Sequence, residues 1–395
     1  VDKIVADIEN ETFRNCPKLA KVTFNSGVKE IGAYTFSNSL KIENVYINDL
    51  VSYLGIKTPE DIAYGQYALP TRWSDNVYVN GEILKNLVIP EGVTRIGNSA
   101  FCNVETLETV KFPSTLKEIH ANAFASCWNL KDFTFPESLE TIGEFAFYKT
   151  SITELVLPSS LEYIGNDAFE FSKLINVKFD DKLTHIGDRA FAYTYLNGAD
   201  LSNTKLEYVE DECFAHSFVK GINLPSSLKD IGQRAFLSTK LTDLFISDNV
   251  EIIREEAFAN TPLERIYLGK NLKQIDNKAF YNATNLVSLE VASERLNDFS
   301  NGNHIFTNAG QDRGLQVYIL EGVTYLPSNM FFSTSNIDEL ANIKILSIPG
   351  SVTNIGSKAF YYLDIDRVNY RGSIEQYNSL DFNFDNLDIG GKVYA

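Results

Sequence analysis

The sequence contains few methionines, tryptophans, cysteines and prolines, and its few cysteines argue against a zinc site and a disulfide framework. Of its 395 residues, one is Met, two are Trp, four are Cys and eleven are Pro. The cysteines, Cys16, Cys102, Cys127 and Cys213, form no C-x-x-C pair, so a zinc site is not expected. Small buried thiols are favoured over a disulfide framework, because free cysteine is commonly a core residue.

Long apolar runs and basic blocks are also missing. No run of about 18 apolar residues occurs, so no segment is expected to enter a membrane. Acidic residues number 52 and basic residues 35, which gives a net charge of −17 and argues against a nucleic-acid partner. Apolar residues make up 44% of the chain, enough to expect a folded protein.

Catalytic and cofactor motifs are absent as well. The sequence contains no Gly-rich phosphate loop, no G-x-S-x-G elbow and no H-E-x-x-H motif. Its four histidines, His120, His185, His216 and His304, fall at four different positions of the repeat described below, so they do not form a column of metal ligands. We therefore expect no enzyme activity, no cofactor and no bound metal.

What the chain does contain is an internal repeat. The phrase Ile-Gly-x-x-Ala-Phe recurs, and between Phe101 and Phe280 its phenylalanines are always 22 or 23 residues apart. An aliphatic residue stands five positions before every one of these anchors, and Val or Leu three positions before that. The anchors are Phe13, Phe36, Phe101, Phe124, Phe147, Phe169, Phe191, Phe214, Phe236, Phe258, Phe280, Phe331 and Phe360, with Phe306 as the anchor of a widened copy.

Each regular copy begins with apolar residues at i, i+3 and i+5, as in Leu107, Val110 and Phe112. The last two have period 2 and predict one short strand, often ended by a proline such as Pro113. A 22-residue copy cannot bury its apolar side chains alone, so stacked copies with parallel strands are predicted. The Gly after Ile is replaced by residues such as Arg254 and Pro327, which indicates a turn without an obligatory left-handed residue there.

This pattern resembles the BspA-type leucine-rich repeats, which occur in surface proteins of bacteria and some protozoa. The motif L-x-x-I-x-L-P-x-x-L-x-x-I-G-x-x-A-F-x-x-C is matched over residues 107–127, with conservative apolar changes and His120 in place of Gly. The resemblance implies a right-handed leucine-rich repeat solenoid of short parallel β-strands, with turns and brief 3₁₀ helices elsewhere.

We expect residues 1–395 to form one solenoid. Asn80-Gly81 between apolar residues predicts a hairpin, Gly302–Gly314 predicts a projecting loop, and residues preceding Val1 are expected in the native precursor. The predicted segments are first repeats 1–47, an irregular insertion with the hairpin 48–85, regular repeats 86–291, a widened repeat with a loop 292–322, last repeats 323–370 and a C-terminal cap 371–395.

Candidate binding residues lie at the outward position of each predicted strand. Phe245 and Tyr267 occupy it in adjacent copies, and we take them, with Val156 and Arg265, as a candidate partner-binding patch. Asp132 and Glu154 are predicted to be neighbours about 4.8 Å apart. That spacing is compatible with retaining glycoside hydrolysis, although a solvated acidic face or a cation site explains the pair as well.

Stacked copies offer a long surface with many variable positions, which favours protein binding. The leading hypothesis is a non-enzymatic, monomeric recognition module, secreted or at a bacterial cell surface. The resemblance implies adhesion to host matrix proteins or to proteins of other cells. The alternative is a glycan-binding or structural protein of the cell envelope, and a glycoside hydrolase using Asp132 and Glu154 is a distant third.

Overall fold

A computed structural model describes residues 6–59, 68–300, 302–332, 340–382 and 393–394. The chain divides into two compact units, Val1–Leu196 and Asn197–Ala395. Val5, which stands eight residues before the Phe13 anchor, and residues 383–392 of the predicted cap lie outside the described residues. No helix among the described residues is both long enough and apolar enough to cross a membrane.

Each regular copy contributes two strands rather than the one that the sequence predicts. The front strand carries the apolar residue at i+3, such as Leu155 in β13 (Glu154–Val156), and the apolar residue at i+5 lies in the strand or directly after it. The second strand has only two residues, as in β12 (Thr141–Ile142), and its buried Ile stands five residues before the Phe anchor. One inward residue in a two-residue strand shows no alternation, which is why its sequence pattern does not predict a strand.

The first unit holds two sets of parallel strands. Its front strands pair as β2–β4–β5, β7–β9–β11 and β13–β15, and its second strands as β1–β3 and β8–β10–β12–β14–β16. The front strands are β2 (Lys21–Phe24), β4 (Asn44–Ile47), β5 (Asn76–Val79), β7 (Asn86–Val88), β9 (Thr109–Lys111), β11 (Asp132–Thr134), β13 and β15 (Asn176–Lys178). The second strands are β1 (Asp7–Ile8), β3 (Glu30–Ile31), β8 (Arg95–Ile96), β10 (Glu118–Ile119), β12, β14 (Tyr163–Ile164) and β16 (His185–Ile186).

The interruption in the first unit contains the hairpin expected at Asn80-Gly81. Strand β6 (Glu82–Ile83) pairs antiparallel with β5, and Asn80 and Gly81 both have positive φ, 52° and 85°, as a type I′ turn requires. Before it lie helix α1 (Leu50–Leu54), which Asp49 caps, and the 3₁₀ turn Pro70–Trp73. This is the one 3₁₀ element of the described ranges, and turns join most of the other strands, as the fold prediction expects.

The second unit repeats the arrangement. Its front strands pair as β17–β19 and β21–β23–β25–β26–β28–β30–β32, and its second strands as β18–β20–β22–β24 and β27–β29–β31, all parallel. The front strands are β17 (Ala199–Asp200), β19 (Ile222–Asn223), β21 (Asp243–Ile246), β23 (Arg265–Leu268), β25 (Ser288–Val291), β26 (Leu315–Ile319), β28 (Ile343–Pro349), β30 (Arg367–Arg371) and β32 (Val393–Tyr394). The second strands are β18 (Tyr208–Val209), β20 (Asp230–Ile231), β22 (Ile252–Ile253), β24 (Gln274–Ile275), β27 (Tyr325–Leu326), β29 (Asn354–Ile355) and β31 (Asp381–Phe382).

The C-terminal segment of this unit and the segment Gly302–Gly314 both pack against the repeats. Helix α2 (Ile374–Asn378) begins at Ser373 with a capping box to Gln376, and β31 and β32 then pair with β29 and β30. The segment Gly302–Gly314 does not project, and that prediction is wrong, because most of its described residues are buried or half-buried. Phe306 within it stacks against Phe280, with ring centroids 5.4 Å apart, so the longer copy is folded inward.

The anchors of successive regular copies stack ring on ring within each unit. In the first unit Phe169 lies between Phe147 and Phe191, with centroids 5.5 and 5.4 Å away and nearly parallel rings. In the second unit Phe236 lies in the same way between Phe214 and Phe258, at 5.4 and 5.2 Å. These rings are fully buried and constitute the core of each copy.

The turn around each regular anchor has a left-handed residue two positions before the anchor and another two positions after it. The residues two before and two after Phe147, Phe145 and Lys149, have φ of 55° and 56°. Phe145, Phe147 and Lys149 each donate a backbone N–H to the next copy, with N···O distances of 2.8–2.9 Å. Besides the two strand ladders, the turn around the anchor therefore gives each copy a third set of backbone hydrogen bonds to its neighbour.

Glycine is needed in this turn for space and not for φ. The repeat glycine Gly143 has no positive φ, as expected, but a Cβ there would lie 2.7 Å from the backbone N of Ala121 in the preceding copy. Such a contact is far inside van der Waals distance. The glycine thus allows two copies to approach closely at this point.

Candidate interaction surface

Two aromatic rings lie side by side on the front-strand face of the second unit. Leu244 and Ile246 of β21 point into the core, so the residue between them, Phe245, points outward and is 65% exposed. Phe245 is in register with Tyr267 of β23, and the two rings stack with centroids 4.7 Å apart and planes 11° apart. The sequence prediction that these two residues share one face is consistent with this geometry.

Charged groups flank the two rings. Arg265, two residues before Tyr267 on the same face of β23, makes an ion pair of 2.5 Å with Asp243, and both side chains are exposed. Tyr267 is in register with Glu290 of β25, which is followed by Tyr318 of β26. Burial, with a contribution from Asp248 and Glu290, raises the pKa of Tyr267, so its hydroxyl stays neutral and able to donate a hydrogen bond. We call Phe245, Tyr267 and Arg265 the front-face patch.

Val156, the fourth predicted member, belongs to the first unit. It is exposed at the end of β13, beside a groove of about 560 Å³ lined by residues of β11, β13 and β15. The front-face patch is therefore defined within the second unit by the other three residues.

The expected alignment of Asp132 with Glu154 is not formed. Strand β11 pairs with β9 and ends one sheet, whereas β13 pairs with β15 and starts another. Glu154 instead accepts a hydrogen bond of 2.9 Å from the side-chain amide of Asn176. Strand pairing therefore does not align the two residues, although both line the groove beside Val156, and their separation of about 4.8 Å stays a prediction.

A second front-face stack, near the start of the first unit, was not predicted. Tyr46 of β4 and Tyr78 of β5 are in register and stack with centroids 4.6 Å apart. The ammonium of Lys21 lies 4.4 Å from the centre of the Tyr46 ring. Each tyrosine stands between two inward aliphatic residues, a signal that the irregular spacing of this region conceals.

Cysteine and histidine do not build a chemical centre in the described part of the chain. None of the four described cysteines forms a disulfide, and three are buried, whereas Cys16 is half-exposed. Burial raises the pKa of the Cys102 and Cys127 thiols, so both stay protonated. His185 stacks on Tyr163 at 4.6 Å, and burial lowers its pKa. No group of three or more His, Cys, Asp or Glu side chains suited to a metal occurs among the described residues.

Two ladders of short parallel strands around a column of rings define a leucine-rich repeat protein. The model of the BspA type leucine-rich repeat region matches six copies, over residues 1–58, 71–197, 184–311 and 301–388. The chain belongs to this family. No curated protein matches it.

Solved structures include similar folds. A leucine-rich repeat protein from Bacteroides ovatus has a TM-score of 0.59 and 20% identity, over 94% of this chain and 88% of that chain. The pneumococcal vaccine antigen PcpA has a TM-score of 0.43 and 18% identity, over 100% of this chain and 93% of that chain. The first of these likenesses supports the solenoid fold.

Proposed function

We propose that this chain is a non-enzymatic recognition module, secreted or displayed at a bacterial cell surface, that binds a protein of the host matrix or of another cell. The observation that carries the proposal is the front-face patch, where the Phe245 ring is mostly exposed although the fold needs no aromatic residue there. Membership of the BspA-type family supports the location and the class of function.

The composition of the patch suits protein recognition. Binding energy at protein interfaces concentrates in Trp, Tyr and Arg side chains with rigid neighbours. Here Phe245 and Tyr267 hold each other in place by stacking, and the pair of Arg265 with Asp243 borders them. A partner can therefore cover the two rings with little loss of side-chain entropy.

The test is binding of the purified chain to a panel of extracellular-matrix proteins, measured by surface plasmon resonance. Phe245→Ser with Tyr267→Ser should weaken saturable binding about 30-fold, the loss of one interface hot spot of about 2 kcal/mol. Val88→Ser is the matched control, because Val88 is an exposed apolar residue at the same strand position in the first unit.

The other outcomes of this assay decide against the proposal. Binding to polysaccharide alone would favour the glycan-binding or cell-envelope alternative. Release of reducing sugar that disappears in Asp132→Asn would show a hydrolase. Equal loss of binding in Val88→Ser and in the double variant would show that the front-face patch has no special role.

A further inference from the structure

A second group of aromatic residues, exposed or half-buried, lies on the turns that follow the anchors of the first unit. It consists of Trp128, Tyr148, Phe171 and Tyr193 around Lys149, and we call it the turn-side cluster. Trp128, Phe171 and Tyr193 are 48%, 43% and 41% exposed. These residues come from consecutive copies whose turns are joined by backbone hydrogen bonds, such as Lys149 N–H to Glu170 O at 2.9 Å. The cluster is therefore continuous.

The rings in the cluster are ordered against one another. Phe171 and Tyr193 stack with centroids 4.5 Å apart, and Tyr148 meets Phe171 edge-on at 5.9 Å. The Lys149 ammonium lies 4.8 Å from the Tyr148 ring centre and 5.6 Å from that of Trp128. Phe171 and Tyr193 thus cover one ring face of each other, and both side chains remain partly exposed.

The backbone shows that the fold does not require these side chains. Lys149, Phe171 and Tyr193 have φ of 56°, 57° and 56° and stand two residues after their anchors. Most other copies have Asn or Ser at this left-handed position: Asn15, Asn38, Asn103, Ser126, Ser238, Asn260, Asn282 and Asn308. Asn tolerates this conformation better than a bulky side chain does. A strained backbone conformation at a bulky, exposed residue that the fold does not require indicates a functional role for that residue.

The cluster carries little net charge in a chain whose net charge is −17. The Asp167 carboxylate at its border is paired with Arg189 at 2.7 Å, and Lys149 supplies one positive charge. Centres of protein interfaces have this composition, rich in aromatic residues and depleted of charge. The surrounding acidic chain attracts partners of positive charge and repels a second copy of itself.

The composition and order of the cluster favour a protein partner. Aromatic side chains that already hold one another in place can take up the apolar and aromatic side chains of a protein with little loss of side-chain entropy. We propose that the turn-side cluster is a second binding surface, independent of the front-face patch, and that it takes a basic peptide segment of a partner protein whose apolar side chains pack on Phe171 and Tyr193.

The experiment uses a random dodecapeptide library displayed on phage and selected on the full chain. Enriched peptides should be basic and should contain aromatic or aliphatic residues, and their binding should weaken as salt is raised. Phe171→Asn with Tyr193→Asn should reduce binding of the synthetic peptides at least about ten-fold. Phe245→Ser with Tyr267→Ser should leave that binding unchanged, which separates this proposal from the proposed function.

The same double Asn variant tests whether the rings are merely structural. Because Asn suits the left-handed backbone, its melting temperature should stay within about 4 °C of the parent chain. A larger fall would mean that the rings support the fold, and this would overturn the proposal. Enriched peptides that are acidic, peptides that bind the variant equally well, or the absence of enrichment would overturn it too.

Discussion

Arg254 and Asp230 form a two-pronged ion pair between adjacent copies of the second unit. Arg254 Nη2 and Nε lie 2.6 and 3.0 Å from the two carboxylate oxygens of Asp230, which is only 4% exposed. Arg254 stands at the repeat position that is Gly in many copies. Its hydrogen bond with Asp230 raises the pKa of Arg254, so the guanidinium stays charged at every physiological pH.

We predict that Arg254→Ala lowers the free energy of unfolding by about 3 kcal/mol, because it leaves the buried Asp230 carboxylate without its partner. The matched control is Arg265→Ala, which breaks an exposed pair with Asp243 and should cost less than about 1 kcal/mol. Urea denaturation of both variants gives the comparison. Equal losses would show that burial of Asp230 does not matter.

We predict that Gly143→Ala destabilises the protein by about 1–3 kcal/mol, because the new methyl group would press on the backbone of Ala121 and His120. Gly97→Ala is the matched control. A Cβ at Gly97 would meet nothing closer than Ile56 O at 3.9 Å, so this change should be neutral or stabilise by up to about 0.5 kcal/mol. Thermal melts that rank the two variants the other way would contradict the close approach.

We predict that Phe169→Ala lowers the free energy of unfolding by about 3–5 kcal/mol. The ring is fully buried between two parallel rings, so its removal leaves a cavity as well as losing burial. Phe171→Asn, two residues away, provides the contrast because that ring lies at the surface. A small loss for Phe169→Ala in denaturant titrations would refute the stacked core.

We predict that Glu170 makes stability depend on pH. Burial, reinforced by the Asp167 carboxylate, raises the pKa of Glu170 to about 7, and Arg189 and Lys149 only partly oppose this. The folded state then holds a proton that the unfolded state releases above its usual pKa of about 4.3. Stability should therefore fall as pH rises from about 4.5 through 7.

Glu170→Gln should remove this loss, because a neutral amide can still donate a hydrogen bond to Asp167. Its melting temperature should exceed that of the parent at pH 8 and approach it at pH 4. The exposed Glu162→Gln should follow the parent at both values. A constant difference between Glu170→Gln and the parent across this range would disprove the raised pKa.

The sequence predicts the core of this fold well, because Phe, Ile and Leu recur at fixed spacing and burial is what fixes them. The sequence also predicts that Phe245 and Tyr267 face outward together, because each stands between two inward residues of a strand. The turn-side cluster follows no such alternation. Phe171 and Tyr193 stand in turns, where the sequence shows neither the left-handed backbone nor the hydrogen bonds between copies that bring them together.

The sequence does not predict that β11 and β13 stay unpaired. Equal repeat spacing implies equal strand pairing, yet Asp132 and Glu154 are 22 residues apart in unpaired strands, whereas Phe245 and Tyr267 are 22 residues apart in paired strands. Repeat spacing therefore identifies equivalent residues without guaranteeing that their strands are joined.

The close approach at the repeat glycines also limits how such a protein can evolve. Gly143 makes room for the backbone of the preceding copy, and Gly187 makes room for Asn166 in the same way. Each glycine is therefore required by the copy that precedes it and not by its own copy. A copy moved by recombination would meet a different predecessor and could clash with it. Duplication of neighbouring pairs preserves this fit, whereas shuffling of single copies does not.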